Sequence, residues 1–236
     1  MDRDQVKLAK RMEAHESAVW ARCVEAVAAM AGNPLEAVID RSGPVPVGAL
    51  CALDRADLNR VIALGAGAPT RDRDLDAVCS FYVRHDQRNF CIEVTPVSRP
   101  QGLTGRIAAR GLVRESTGSF KMWRPTHRPP AVAPPVNVRR LSTADTDALA
   151  AISVSAWGAW NTPVSMAAWF VATLGQGGVR HYGVFDGERL VATGALFLGD
   201  GLGWLGFDAT HPRYQGRRLR QAISSVRMAD AAAEGC

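Results

Sequence analysis

Two Asp-Gly dipeptides in the second half of the chain restrict its fold more than any other feature. Asp186-Gly187 separates the apolar runs 182–185 and 190–198, and Asp200-Gly201 stands before a third run, 204–209. Asp-Gly favours the positive φ values of a type I′ turn, which joins adjacent antiparallel strands. The pattern therefore predicts a three-stranded antiparallel meander, and residues 215–233 after it have the pattern of a helix.

A cluster of prolines divides the chain. Five of them fall within the eleven residues from Pro125 to Pro135. Such a stretch favours an extended connector without a core of its own. The 236 residues are also enough for two domains, since a domain usually has about 100–150 residues. We expect an N-terminal α/β domain at 1–128, a linker at 129–136 and a second domain at 137–236.

Apolar periodicity assigns the remaining elements. Before the linker it predicts, in order, a helix at 4–31, strands at 45–53 and 58–64, a helix at 72–85, a strand at 90–94, a helix at 103–110 and a strand at 120–123. After the linker it predicts a strand at 136–140, a helix that begins after Ser142, and a second helix at 166–174. Both halves are therefore of the α/β type.

Composition narrows the class of protein. The sequence is 47% hydrophobic and 22% charged, which is typical of a globular protein. It contains no apolar run of the ~20 residues that a membrane span needs, and its first residues do not resemble a secretory signal. We expect a cytoplasmic protein without a membrane partner. The five cysteines are scattered without a Cys-x-x-Cys pair, so reduced thiols and no metal site are expected.

The net charge of +5 suits either nucleic acid or a phosphate-bearing cofactor. No motif of a nucleic-acid-binding fold occurs, and the aromatic residues are not interleaved with the basic ones. Nucleic-acid binding therefore ranks last among the functions considered.

The most informative segment is 204–223, where a predicted strand leads through an arginine-rich loop into a helix. The free N–H groups of a helix's first turn attract anions. Arginines add charge suited to a pyrophosphate, and the loop supplies four of them: Arg213, Arg217, Arg218 and Arg220. The alternative is a solvated arginine cluster on a surface helix.

This segment resembles the GNAT acetyltransferases. In that family the loop has the pattern Gln/Arg-x-x-Gly-x-Gly/Ala, commonly after His-Pro-x-Tyr. Here His211-Pro212-Arg213-Tyr214 precedes Gln215-Gly216-Arg217-Arg218-Leu219-Arg220. The match includes Gln215, Gly216 and Arg217, and it departs at Arg218 and Arg220, where the pattern has Gly and Gly/Ala.

The resemblance implies an α/β (α+β) fold: a GNAT-like mixed, mostly antiparallel sheet flanked by helices, preceded by a smaller, degenerate GNAT-like α/β domain. It also implies acetyl-CoA as co-substrate, with backbone groups of Asp208, Ala209 and Thr210 along the pantetheine arm. The pyrophosphate would be surrounded by Gln215, Gly216, Arg217, Arg218, Leu219 and Arg220. Because glycine suits close approach of the backbone to phosphate, Arg218 is expected to obstruct or remodel the site.

The activity that the resemblance implies is direct transfer of an acetyl group to a primary amine of a small molecule or protein. The amine must first lose a proton. Asp208 is the nearest carboxylate and the candidate catalytic residue, because the usual family position of a base is occupied by Trp204. His211 is expected to be a turn residue before Pro212, and the sequence offers His181 no partner. The alternative function is a catalytically impaired acyl-CoA-binding or structural protein.

Two further expectations follow from the resemblance. Trp157, Trp160 and Trp169 fall in the region that lines the acceptor site in the family, and they are either core residues or an acceptor pocket. The sequence stops at Cys236, where the family's fifth strand would begin, so we expect an incomplete domain with little acetyl transfer. The sheet would then have an unpaired edge, and a homodimer could form through that edge.

Overall fold

The computed structural model describes residues 1–115, 121–127, 136–157 and 163–236. The chain divides into two compact units, Met1–Trp123 and Arg124–Cys236. The division shows which residues pack together. The predicted domain bounds, 1–128 and 137–236, stay a prediction. The predicted linker lies outside the described residues apart from Val136.

The first unit begins with a long helix, α1 (Arg3–Ala28), whose first turn is capped by Asp2 together with Gln5. Two pairs of short strands follow, one antiparallel and one parallel. The remaining elements are, in chain order, β1 (Ala37–Asp40), β2 (Val47–Leu50), β3 (Arg60–Val61), α2 (Asp72–Arg84), β4 (Cys91–Ile92) and α3 (Leu103–Ala108). β1 pairs with β2, and β3 pairs with β4.

Buried polar side chains explain why the first unit has shorter strands than the sequence predicts. Asn59 is fully buried; its amide oxygen accepts from the N–H of Leu50 at 2.9 Å, and its amide nitrogen donates to the carbonyl of Leu53 at 2.8 Å. The Asn59 side chain thus hydrogen-bonds to main-chain groups that, in a longer strand, would bond to a neighbouring strand. The strand predicted at 120–123 is wrong over the described residues 121–123. Lys121 is instead held by ion pairs with Glu13 and Glu16, both at 2.8 Å.

The second unit is built on a four-stranded antiparallel sheet in the order β5-β6-β7-β8. Its elements are β5 (Val138–Arg140), a 3₁₀ turn (Thr143–Asp145), α4 (Thr146–Trp157), α5 (Pro163–Val171), β6 (Val179–Asp186), β7 (Arg189–Gly199), β8 (Leu202–Thr210), a second 3₁₀ turn (Pro212–Tyr214) and α6 (Leu219–Ala233). The predicted meander is confirmed as β6, β7 and β8.

The two hairpins of the meander use different turns. In the second, Asp200 and Gly201 both have positive φ, +51° and +67°, as a type I′ turn requires. In the first, Asp186 pairs with Arg189, so the central residues are Gly187 and Glu188. Gly187 has a φ of +57° and Glu188 is not left-handed, which fits glycine at the first position of a type II′ turn. The type I′ prediction is therefore wrong for this hairpin.

Helices cover both faces of the sheet. Tyr182 and Leu196 belong to one apolar cluster with Leu219 and Ile223 of α6. Neighbouring strand residues point to the opposite face. That face carries His181 and Phe197, whose rings pack against Phe207. Phe207 in turn packs against Trp169 and Phe170 of α5. The predicted class, a mostly antiparallel sheet flanked by helices, is confirmed.

Helix α6 begins at Leu219, four residues later than predicted. Arg218 precedes it with a φ of +60° and Gly216 with +77°, and left-handed residues cannot continue a right-handed helix. The loop between β8 and α6 is therefore longer than the sequence indicates.

Candidate functional site

A bulge interrupts β8 near its carboxyl end. Thr193 of β7 faces Ala209 and Ala195 faces Gly206, so Gly194 alone lies opposite Phe207 and Asp208. Phe207 has a φ of +55°, which an aromatic residue rarely adopts. Bulges of this kind bend a strand and redirect its groups, and they are common beside active sites.

Aromatic side chains surround the bulge. Phe207 stacks on Trp169 with 5.5 Å between ring centroids, and it meets Phe170 and Phe197 at 5.2 and 5.6 Å. Gly206 lies under the six-membered ring of Trp204, where a Cβ would overlap the ring. Trp204, at the position of the family's base, therefore packs over the strand.

Asp208, the predicted catalytic residue, points toward α6. Its carboxylate Oδ1 accepts from Nη2 of Arg227 at 2.6 Å. Its carbonyl accepts from the indole N–H of Trp157 at 3.3 Å, and Trp157 is 41% exposed. The site therefore has an exposed tryptophan at its rim, whereas Trp169 is core at 5% exposure and Trp160 lies outside the described residues.

Ala209 and Thr210 complete the strand. The N–H of His211 donates to the carbonyl of Val191 at 3.0 Å, and Ala209 pairs with Thr193. Since main-chain groups alternate along an antiparallel strand, those of Thr210 face away from β7. β8 is an edge strand within the described part of the sheet, so this side presents open donors and acceptors.

His211 and Tyr214 fix the loop that follows. Nδ1 of His211 accepts from the N–H of Arg213 at 3.2 Å, as the turn prediction requires. Its ring also contacts Arg189 at 2.6 Å, and burial together with the neighbouring charges of Arg189 and Arg213 lowers the pKa of His211. The Tyr214 hydroxyl donates to Asp186, which raises the pKa of this tyrosine.

The predicted pyrophosphate residues lie together at the start of α6. Gln215, Gly216, Arg217, Arg218 and Arg220 are exposed, whereas Leu219 is 8% exposed and belongs to the core. Arg217 extends over the ring of Tyr214, 4.7 Å from its centroid. Arg218 makes no side-chain cap to the helix. The first-turn N–H groups therefore have no side-chain acceptor at the N-cap and can meet an anion.

His181 and Arg227 are buried groups that sequence reasoning missed or misjudged. The expectation that His181 lacks a partner is wrong, because its Nε2 lies 3.0 Å from the Thr173 hydroxyl. Burial lowers the pKa of His181 to about 4. Arg227 was not predicted as part of a site. Gly194, a glycine within an apolar strand, could have indicated the bulge, but no feature of the sequence indicates Arg227.

Two observations on the described residues bear on other functions. They contain no group of three or more His, Cys, Asp or Glu side chains that could hold a metal ion. None of the helices in the described ranges is long and apolar enough to cross a membrane.

Comparison with solved structures identifies the fold. No protein-family model and no curated protein matches the sequence. A GCN5-related N-acetyltransferase from Kribbella flavida matches 93% of this chain and 81% of its own, with 15% identity and a TM-score of 0.55. The chain therefore has the fold of the GNAT acetyltransferases, as predicted from the resemblance.

Two partial matches are of the same kind. PaiA N-acetyltransferase from Thermoplasma acidophilum, in complex with coenzyme A, matches 42% of this chain and 74% of its own at 12% identity and a TM-score of 0.36. Ribosomal-protein-alanine N-acetyltransferase from Brucella melitensis biovar Abortus matches 42% and 73% at 20% identity and a TM-score of 0.35.

Proposed function

We propose that the protein is an N-acetyltransferase that uses acetyl-CoA and a primary amine. The observation that supports this most is the junction of β8 and α6 within a GNAT fold. There an open-edged strand leads into a loop with two left-handed residues and exposed arginines at a helix N terminus. A pyrophosphate is the anion that suits this loop.

The loop residues fit such a ligand. Gly216 has open space around it, since a Cβ there would meet no atom within 4 Å, so its backbone is accessible. Arg217 and Arg220 can contribute guanidinium groups, which bind phosphate oxygens in a fork geometry, whereas Arg218 is expected to restrict the approach of the backbone to phosphate. Leu219 anchors the first turn in the core, so it would contribute only its main chain.

The pantetheine arm would run along the open edge of β8. An amide-bearing chain can bind to an exposed strand by main-chain hydrogen bonds, as a peptide does. Thr210 offers its main-chain groups directly, and Asp208 and Ala209 lead from there to the bulge. The thioester would then lie beside the bulge, near Trp157.

In the reaction, the amine nitrogen forms a bond to the acetyl carbon, the carbon–sulfur bond breaks, and the thiolate leaves as the amine loses a proton. A lysine-like ammonium has a pKa of about 10.4, so a base or a water relay must remove a proton first. Asp208 remains the candidate, but its Oδ1 is already bound to Arg227. Asp208→Asn tests the role and should abolish turnover if the carboxylate accepts the proton.

The binding proposal is tested by calorimetry with coenzyme A and acetyl-CoA on folded protein. We expect micromolar affinity that falls as salt rises, because the contacts are charged. The absence of heat or of a thermal shift at millimolar ligand would refute it. Turnover is followed by the free thiol that coenzyme A gains on transfer to a panel of amines.

A second candidate, an acyl-CoA-binding protein with impaired catalysis, is favoured by two observations. Trp204 occupies the usual position of the base, and the carboxylate of Asp208 is engaged by Arg227. Binding of acetyl-CoA without thiol release from any amine would support this candidate over the enzyme.

A further inference from the structure

Arg227 projects from α6 into the sheet beneath the bulge. Its side chain is 1% exposed. Nη1 donates to the carbonyls of Ala195 and Gly206 at 2.9 and 3.1 Å, and Nη2 donates to the Asp208 carboxylate at 2.6 Å. Ser224, one turn earlier in α6, accepts from Nη2 at 3.0 Å. One guanidinium therefore hydrogen-bonds to both β7 and β8, the two strands whose pairing is irregular here.

These bonds hold the main chain of β7 and β8 at the point where their regular pairing ends. A bulge leaves main-chain groups without partners in the sheet, and buried carbonyls must be satisfied in another way. Ala195 and Gly206 form the last regular pair before the bulge. Arg227 donates a hydrogen bond to the carbonyl of each. Asp208 lies inside the bulge and supplies the countercharge.

Gly194 makes room for this arrangement. A Cβ at Gly194 would lie 2.8 Å from Nη1 of Arg227 and 2.8 Å from Oδ1 of Asp208. Those separations are too short for a methyl group, so the guanidinium occupies the space that a side chain at this position would need. Gly194, Asp208 and Arg227, distant in sequence, thus form one unit, which we term the bulge clamp.

A stable sheet does not require such a device. A buried charge is costly to desolvate, and burial lowers the pKa of Arg227. Well-packed apolar residues in place of a buried ion pair are often neutral or stabilising. Phe207 lies between Gly206 and Asp208, which both bond to Arg227, and has a φ of +55°. Residues whose backbone is held in a sparsely populated conformation are concentrated at binding and catalytic sites.

We infer that Arg227 is a positioning residue, which holds the β8 bulge in the shape that receives the thioester end of acetyl-CoA. This inference rests on the proposed function. Leu219, at the start of α6, and Arg227 are eight residues apart, and a helix rises about 1.5 Å per residue, so about 12 Å separates them along the axis. Helix α6 therefore fixes the distance between the phosphate loop and the bulge.

The test separates the two ends of the ligand. The probes are acetyl-CoA and adenosine 3′,5′-bisphosphate, a fragment with phosphates but no pantetheine arm. The variants are Arg227→Lys, Arg227→Met and Asp208→Asn. Arg139→Met is the matched control, because Arg139 lies on β5, at the other edge of the sheet, and the substitution removes its ion pair with Asp145.

We expect all three clamp variants to bind acetyl-CoA about tenfold more weakly or worse, as the loss of a hydrogen bond to a charged group implies. Affinity for the bisphosphate should stay within about twofold, because the N terminus of α6 is unchanged. Arg227→Lys should lose less than Arg227→Met. The control should bind both probes as the wild type does.

Hydrogen exchange examines the clamp without ligand. Amides at 206–210 should exchange faster in Asp208→Asn and Arg227→Lys, while those of β6 do not change. If Arg227→Met does not fold, these two variants decide the matter. Equal loss of both probes, or no loss with unchanged exchange, would overturn the inference. A wild type that binds neither probe but shows the exchange pattern would instead refute the proposed function and leave the clamp as a structural device.

Discussion

Arg218 is the position where the chain departs from the glycine of the GNAT loop pattern, and its backbone is left-handed, with a φ of +60° and a ψ of +19°. This conformation costs an L-residue other than glycine about 1–2 kcal/mol. Glycine adopts it freely but gains freedom in the unfolded chain, which costs about 0.4–1 kcal/mol. Arg218→Gly should therefore be more stable than Arg218→Ala by about 0.5–1 kcal/mol.

The same pair of variants separates backbone from charge in ligand binding. Arg218→Ala removes the guanidinium and keeps the strained backbone, whereas Arg218→Gly also frees the backbone to approach phosphate. We expect Arg218→Gly to bind coenzyme A more tightly than the wild type. One backbone hydrogen bond gained to a phosphate oxygen is worth about 1.5 kcal/mol, which corresponds to about tenfold in affinity. Calorimetry gives the affinities, and urea unfolding gives the stabilities.

Gly216→Ala is the control for backbone strain alone. Gly216 has a φ of +77° and open space at its Cβ, so alanine there should lose about 1 kcal/mol of stability without a steric clash. If Arg218→Gly is no more stable than Arg218→Ala, residue 218 is not left-handed in solution. If it binds coenzyme A more weakly than the wild type, the Arg218 side chain is a phosphate ligand and the reasoning is wrong.

Three other expected results are specific enough to measure. Arg217→Glu should weaken coenzyme A binding about tenfold or more at low salt, by calorimetry, because it reverses a charge beside phosphate; unchanged affinity would favour a solvated surface cluster. Gly206→Ala should cost about 1–3 kcal/mol or more in urea unfolding by overlapping Trp204, and Trp204→Ala in the same chain should recover part of the loss. Burial lowers the pKa of His181 from 6.5 to about 4, so the unfolded chain binds the proton first. Stability is complete above pH 6.5 and falls by up to about 3 kcal/mol as the pH drops to 4; His181→Gln should flatten this pH profile, and an unchanged profile would contradict the assignment.

Local signals made much of the second unit predictable. Asp-Gly turns and alternating apolar runs determine β6, β7 and β8 from neighbouring residues alone, and the loop pattern indicated a helix after β8, although α6 begins four residues later than predicted. The bulge clamp was not predictable in this way, because Gly194, Asp208 and Arg227 come together only after the sheet and α6 have packed. Arg227 lies in a polar-looking helix sequence that does not reveal a buried guanidinium.

The first unit was predicted less well for a similar reason. The strands expected at 45–53 and 58–64 have β-branched and apolar residues, and propensity alone favours long strands there. The side chain of Asn59, buried between them, hydrogen-bonds to the main chain of Leu50 and Leu53. Only short strands remain paired. A tertiary contact thus overrides propensity, and no local pattern shows which asparagine will be buried.

Within the described residues β8 lies at an edge of the sheet, and this position affects how the chain behaves at high concentration. A strand with unpaired main-chain groups can join the same strand of another copy, and proteins commonly prevent this with charge near the edge. Here the arginines that follow β8, Arg213, Arg217, Arg218 and Arg220, repel a second copy brought to the same edge. Salt shortens the range of that repulsion from about 10 Å at 0.1 M to about 3 Å at 1 M. Self-association should therefore increase with ionic strength, and a polyanionic ligand on the loop would neutralise the charge while covering the edge.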